Sequence, residues 1–278
     1  MSRTLRPGVL VVRRDDGHLQ VGVDPPRRVV LREAPDVRRV LASLVRGEPP
    51  APGGATARVV AALTAADLLV DLPAPRPRGS SPATGAAWAR HGDDAARRLA
   101  ARAAATVSLD APRDVADHLA PLLAGSGLRV TVAGQGDVHL AVSHGTLARD
   151  RLDPCLRAGV PHLPVAGHEG AYVVGPFVLP GVTGCLRCDD ARRAETDPRR
   201  AVVLEQVARA AAPAGDPVLL ALALAWAVRD LLAWLEGDRP STWGAAYSLG
   251  AGNPVRTPVP RHPHCGCSWA DLVPARAG

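Results

Sequence analysis

Two pairs of cysteines constrain this chain more than any other feature. Cys185-Leu186-Arg187-Cys188 is a C-x-x-C turn, and Cys265-Gly266-Cys267 is a C-x-C pair far downstream. A C-x-x-C turn brings two thiolates to one tetrahedral ion, and the second pair can supply the other two corners. The fold must therefore carry the chain back from Cys188 to the same point at Cys265. The spacing predicts a zinc ion held by Cys185, Cys188, Cys265 and Cys267. Four thiolates leave no position for water, so its role is structural. His262 and His264 flank the second pair, and either could replace a cysteine. The fifth thiol, Cys155, lies on an apolar helix face and reads as a core residue. An odd cysteine count without an export signal argues against a disulfide framework and for a cytoplasmic protein.

Organisation follows from hydrophobic patterning. Val9–Arg13 and Leu19–Val23 are β-rich runs joined by Asp15-Asp16-Gly17, and Arg28–Leu31 is a third. Two helices follow. One buries Val37, Val40, Leu41, Leu44 and Val45; the other runs from Thr56 to Leu69 with Val59, Val60, Leu63 and Ala66 inward. Three strands and then helices make a small winged-helix-like unit over residues 1–75. Pro73–Ala87 reads as a linker and Asp93–Ala105 as a helix, so residues 76–105 join the two parts. From residue 106 to 278 strands alternate with helices: Thr106–Leu109, Asp114–Ala124, Arg129–Ala133, His139–Val142, Arg149–Ala158 and His162–Ala166. That alternation predicts a parallel, Rossmann-like α/β sheet. A hairpin-like segment at Gly170–Val174, helices at Arg200–Ala211 and Pro217–Leu235, and extended runs at Ala245–Leu249 and Pro254–Pro258 complete it.

Several function classes are excluded on chemistry. The net charge is +6, yet the chain has no lysine. Schiff-base, pyridoxal-phosphate and P-loop lysine chemistry is therefore absent. A phosphate-binding first βα turn needs glycines; here Leu109 is followed by Asp110-Ala111-Pro112-Arg113-Asp114, with two carboxylates where an anion would sit. Gly134-Gln135-Gly136 after the next strand reads as a tight turn. Ser143-His144-Gly145 stands where a magnesium carboxylate could be, with Glu169 and Asp189 as the nearest acids, both surface-like. Adjacent residues such as Ser143 and His144 face opposite ways on a strand and form no dyad. ATP binding is not expected. The apolar run Val218–Leu235 is interrupted by Arg229 and Asp230 and reads as a buried helix rather than a membrane span. The second N-terminal helix offers a DNA groove only Arg58, so nucleic acid is not the expected partner.

The segment from Gly175-Pro176 through Pro180-Gly181-Val182-Thr183-Gly184-Cys185-Leu186-Arg187-Cys188 resembles a stretch of ThiF-like proteins, relatives of the ubiquitin-activating enzymes. His264-Cys265-Gly266-Cys267 resembles the second zinc knuckle of the ocin-ThiF-like branch. Pro7-Gly8-Val9 and Leu19-Gln20-Val21-Gly22-Val23-Asp24-Pro25 resemble the precursor-peptide recognition element that opens that branch. Active ThiF-type members adenylate a carboxylate with ATP. This chain lacks the glycine loop and any lysine, and carries Ser143 in place of the metal-binding aspartate, so the resemblance implies the non-adenylating branch. Such proteins bind the leader of a ribosomal precursor peptide in azoline/azole, bacteriocin-type biosynthesis. They present it to a YcaO-type cyclodehydratase. The alternative is an ATP-dependent adenylyltransferase of the ThiF type. The resemblance places the leader beside the third strand, at Arg28, Val29, Val30 and Leu31, against the helix face of Val59, Leu63 and Ala66. Main-chain bonds then give affinity and alternate side-chain pockets give specificity. The arginines there equally suit protection of a bare sheet edge. It also implies a possible homodimer, for which the Pro217–Leu235 helix could supply an interface.

Overall fold

Hairpin chemistry shapes the N-terminal part of the computed structural model, which describes residues 2–72, 81–131, 136–212 and 214–267. The chain divides into two units, Met1–Ala100 and Ala101–Gly278. In the first, β1 is Ser2–Leu5, β2 Val11–Asp15, β3 His18–Val21 and β4 Val29–Arg32. Strands β2, β3 and β4 form a three-stranded antiparallel sheet in that order, and among the described residues no strand pairs with the outer edge of β2 or β4. The β2–β3 turn is tied by Asp15 Oδ1, which accepts from the N–H of Gly17 at 2.8 Å. Helices α1 (Pro35–Arg46) and α2 (Gly54–Ala65) cover one face. Leu19, Val21, Val37, Val40, Leu41, Leu44, Val59, Leu63 and Leu68 build the core between them.

Three expectations are corrected in this unit. Val45 is half exposed rather than inward-facing. The second helix ends at Ala65, not Leu69, because Asp67 turns left-handed (φ 55°). Arg6 donates from Nε to the Asp67 carbonyl at 3.0 Å, and Arg27 binds its carboxylate. The residues beyond become β5 (Leu69–Leu72), which pairs antiparallel with β1. The linker reading also shortens. Residues 73–80 lie outside the described residues, but the chain is helical from Pro82, where Ser81 caps α3 (Pro82–His91) by accepting from the N–H of Thr84. Ala87 and Trp88 of α3 pack with Val70 and with Ala95, the first residue of α4 (Ala95–Ala104).

The second unit is built on β6 (Thr106–Asp110), α5 (Arg113–Gly125), β7 (Arg129–Thr131), β8 (Val138–Ser143), α6 (Asp153–Ala158) and β9 (His162–His168). After these come β10 (Ala171–Val174), α7 (Leu186–Ala194), α8 (Arg200–Arg209), α9 (Pro217–Leu235), β11 (Ala245–Leu249) and β12 (Val255–Pro258). The end of the expected Arg129–Ala133 strand, and Gly134 and Gln135, lie outside the described residues. The sheet has seven strands in the order β12-β11-β10-β9-β8-β6-β7. It is mixed rather than wholly parallel. Strands β7, β6, β8 and β9 run parallel; β10, β11 and β12 join antiparallel. The reversal comes at Glu169-Gly170, both with positive φ (45° and 79°), as a two-residue hairpin turn demands. One face is covered by α5 and α9, whose Val115, Leu119, Leu123, Leu224 and Leu231 meet Leu140, Val142, Leu163 and Val165 of the sheet.

Helix α9 is long and apolar enough to cross a membrane by composition alone. Here Ala223, Leu224, Ala227, Val228 and Leu231 are buried against the sheet and α5. Asp230 is buried with a purpose. Its carboxylate accepts from the N–H of Ser241 at 3.1 Å and of Thr242 at 2.8 Å, and from the Thr242 hydroxyl at 2.6 Å, anchoring the loop that leads into β11.

Candidate metal centre, crevice and sheet edge

The four cysteines predicted as ligands converge. Cys185 caps the start of α7, so Cys188 lies in its first turn, its N–H donating to the Cys185 carbonyl at 3.0 Å. The Sγ of Cys185 lies 3.7 Å from those of Cys188 and Cys265, and Cys188 Sγ lies 3.3 Å from Cys267. All four sulfurs fall within 4.8 Å of one another. A tetrahedral zinc thiolate site, with Zn–S bonds of about 2.3 Å, has sulfur–sulfur edges of roughly 3.8 Å. The donor set and its spacing fit one metal ion. Val178 and Leu156 wall the cluster with apolar surface, and the first three cysteines are buried. Such packed thiols strongly favour a shared negative charge. Hydrogen bonds from Cys185 and Cys267 hold the Cys188 thiol far below its usual range, while the bond to Cys188 drives Cys185 far above it.

The second pair reaches the first by a close crossing. A Cβ on Gly184 would lie 2.3 Å from the Val259 carbonyl oxygen and 2.6 Å from that of Pro260, so only glycine permits the approach. His262 Nε2 bonds to Glu195 Oε1 at 2.9 Å, and its Nδ1 accepts from the N–H of His264. His262 thus fixes the knuckle through its hydrogen bonds. Cys155 is buried on α6, and burial pushes its thiol up.

A doubly wound sheet binds ligands where its strand order reverses, at the C-terminal strand ends. Here that point lies between β6 and β8. It is filled by an arginine that the sequence did not single out. Arg151 Nε donates to Asp110 Oδ2 at 2.9 Å, and its Nη2 reaches the Val142 carbonyl at 3.3 Å. Asp114, at the start of α5, accepts from His144 Nε2 at 2.7 Å. Carboxylates therefore occupy the turn where backbone N–H groups would otherwise meet a phosphate. Ser143 accepts only a local bond from Gly145 among the described residues. Glu169 sits exposed in the hairpin turn, and Asp189 is bound by Arg192 and Arg193.

In the first unit the predicted peptide-contact residues divide into two sets. Gly22 N–H donates to the Leu10 carbonyl and Glu33 N–H to that of Gly17, which fixes the parity of both ladders. Val29 and Leu31 bond to β3, so the N–H and C=O of Arg28, Val30 and Arg32 face the free edge of β4. Val30 is 43 % exposed. Val29 and Leu31 point inward against the core that contains Val59 and Leu63. Val59 and Leu63 are themselves buried, and Ala66 is half buried.

No protein-family profile and no curated protein sequence matches the chain. Solved structures do. The heterocyclase TruD superposes with a TM-score of 0.72 at 19 % identity, over 96 % of this chain and 42 % of that one. MccB of E. coli with ATP gives a TM-score of 0.62 at 12 % identity, over 96 % of this chain and 99 % of that one. The Microcin C7 biosynthetic enzyme MccB in complex with N-formylated MccA gives 0.62 at 12 % identity, over 96 % and 100 %. The chain spans less than half of the TruD chain. At these identities the likeness establishes the fold alone, a mixed α/β fold shared with TruD and MccB.

Proposed function

We propose that this protein is a non-adenylating, leader-peptide-binding partner in ribosomal peptide natural product biosynthesis of the azoline/azole, bacteriocin type. It presents the precursor to a YcaO-type cyclodehydratase, and that enzyme uses the ATP. One observation carries the reading. The chain has the fold of TruD and MccB over 96 % of its length, yet Asp110 and Arg151 close the crevice where an adenylating enzyme would seat its nucleotide. The leader adds to the free edge of β4 through the backbone of Arg28, Val30 and Arg32. Val59, Leu63 and Ala66 back that strand from inside the unit. Arg28 and Arg32 attract an acidic leader. Zinc at Cys185, Cys188, Cys265 and Cys267 is structural. The exposed apolar side chains of Val218 and Leu222 on α9 suit a homodimer contact.

A second reading, an ATP-dependent adenylyltransferase, draws on the match to nearly all of the MccB chain, whose structure holds ATP. The test is direct. Fluorescence anisotropy of the full chain with a synthetic acidic leader peptide of a ribosomal precursor should show saturable binding that ATP does not change. ATP–pyrophosphate exchange dependent on the peptide would instead establish the second reading.

A further inference from the structure

A cavity of about 470 Å³ opens between α5, α9 and the loop after β8. That is within the range of small-molecule sites. It lies at the C-terminal ends of β6 and β8, beside the crevice that Arg151 closes. We propose that this cavity binds a small protonated amine carried on an apolar body. The inference concerns the second unit alone and stands independently of leader binding.

Tyr172 of β10 is 2 % exposed and lines the cavity. Its hydroxyl has no hydrogen-bond partner among the described residues. The side chain lines the cavity, so this hydroxyl is open to hydrogen-bond with a polar group bound there. The hydroxyl end abuts Gly215 on the cavity wall, where a Cβ would lie 2.2 Å from Oη, so only glycine leaves it room. Asp114 supplies the charge. Its Oδ2 takes the His144 bond, and the side chain is 63 % exposed at the rim of the cavity, where the carboxylate can meet a ligand. The His144 loop is held in place by Gly167 of β9, where a Cβ would sit 1.9 Å from the His144 carbonyl oxygen. Leu122, Leu220 and Leu224 supply apolar walls.

The sign of the ligand follows from what is missing and what is capped. The chain has 33 Arg and no Lys, yet no arginine lines this cavity. The α9 N-terminus, which could attract an anion, has its first N–H groups taken by Asp216 Oδ1 at 2.7 and 3.3 Å. A carboxylate, a phenol and leucine walls then select a cation with a hydrophobic stem. The basic side chains on its wall are two imidazoles, His118 and His144, and each is already bonded to Asp114, so a phosphate or carboxylate meets no fixed counter-charge among the described residues.

Calorimetric titration of the full chain with 4-phenylbutylamine and with 4-phenylbutyrate compares one body with opposite charges. The amine should bind at least tenfold more tightly. Asp114→Asn should weaken it tenfold or more, and Tyr172→Phe several-fold. Leu122→Arg, at a surface position, should abolish binding by placing a fixed cation in the cavity while leaving the melting temperature nearly unchanged. Equal affinity for amine and acid, no measurable amine binding, or full affinity in Asp114→Asn would each overturn the proposal.

Discussion

At the scale of single residues, the convergence of the four candidate metal-binding thiols rests as much on Gly184 as on the thiols themselves. Gly184→Val would drive a side chain into the carbonyls of Val259 and Pro260 and push the C-x-C pair off the first knuckle. We expect about one zinc per purified chain, lost from both Cys185→Ser and Gly184→Val, with a large fall in melting temperature, because binding energy at such a site is folding energy. Plasma emission spectrometry and calorimetry read both quantities; a metal-free chain that melts like wild type would refute the assignment. His162 gives a pH signature. It is fully buried, its Nδ1–H donates to the Val160 carbonyl at 3.0 Å, and its Nε2 has no partner among the described residues. Burial lowers its pKa from 6.5 to about 4. The unfolded chain therefore binds the proton first. The stability from keeping this imidazole neutral is complete above pH 6.5 and is lost as pH falls towards 4. The loss is of order 3 kcal/mol. His162→Leu should flatten that slope in denaturant titrations run with excess zinc; an unchanged slope would show that the imidazole carries none of it.

Among the elements, β4 presents a test that separates edge from core. Val30 faces its backbone outward, so Val30→Pro costs no ladder bond within the unit. It should leave the melting temperature within about 1 °C and weaken leader binding at least tenfold at any salt. Val29→Pro, one residue away, removes a ladder bond to β3 and should destabilise the unit itself. Leu63→Asp would put a charge into a fully buried site and report on folding rather than on a groove. Removing Arg28 and Arg32 together should weaken binding chiefly at low salt, as screened surface charges do. If Val30→Pro binds like wild type, the β4 edge is not the site. The hairpin of β2 and β3 and the apolar stripe of α1 were legible in the sequence because turn chemistry and period are local. The β1–β5 pair was not. Leu68, Leu69 and Leu72 continue the spacing of α2, and the residue that breaks it is Asp67, held left-handed by Arg6 and Arg27 rather than by being glycine. Helix α7 went unread for a similar reason: it is mostly polar and buries chiefly Cys188.

Across the whole molecule, the question is whether a fold shared with an ATP-binding protein still binds ATP. The missing glycine loop and the carboxylates Asp110 and Asp114 could be read from the sequence. The closure by Arg151 could not, since one arginine among 33 carries no signal until the sheet brings it to the ends of β6 and β8. Its guanidinium neutralises Asp110 and bonds the Val142 carbonyl, so a phosphate would have to displace two hydrogen-bonded partners and then face Asp114. Millimolar MgATP should therefore leave the melting temperature unchanged. A ligand at a hundred times its dissociation constant would add about 2.7 kcal/mol, a shift of several degrees. Arg151→Ala should not restore binding, because it bares Asp110 and leaves two carboxylates at the site of the triphosphate. ATP-dependent stabilisation of the wild-type chain, or release of pyrophosphate with a precursor peptide, would refute the closed-crevice reading and return the molecule to the adenylating class.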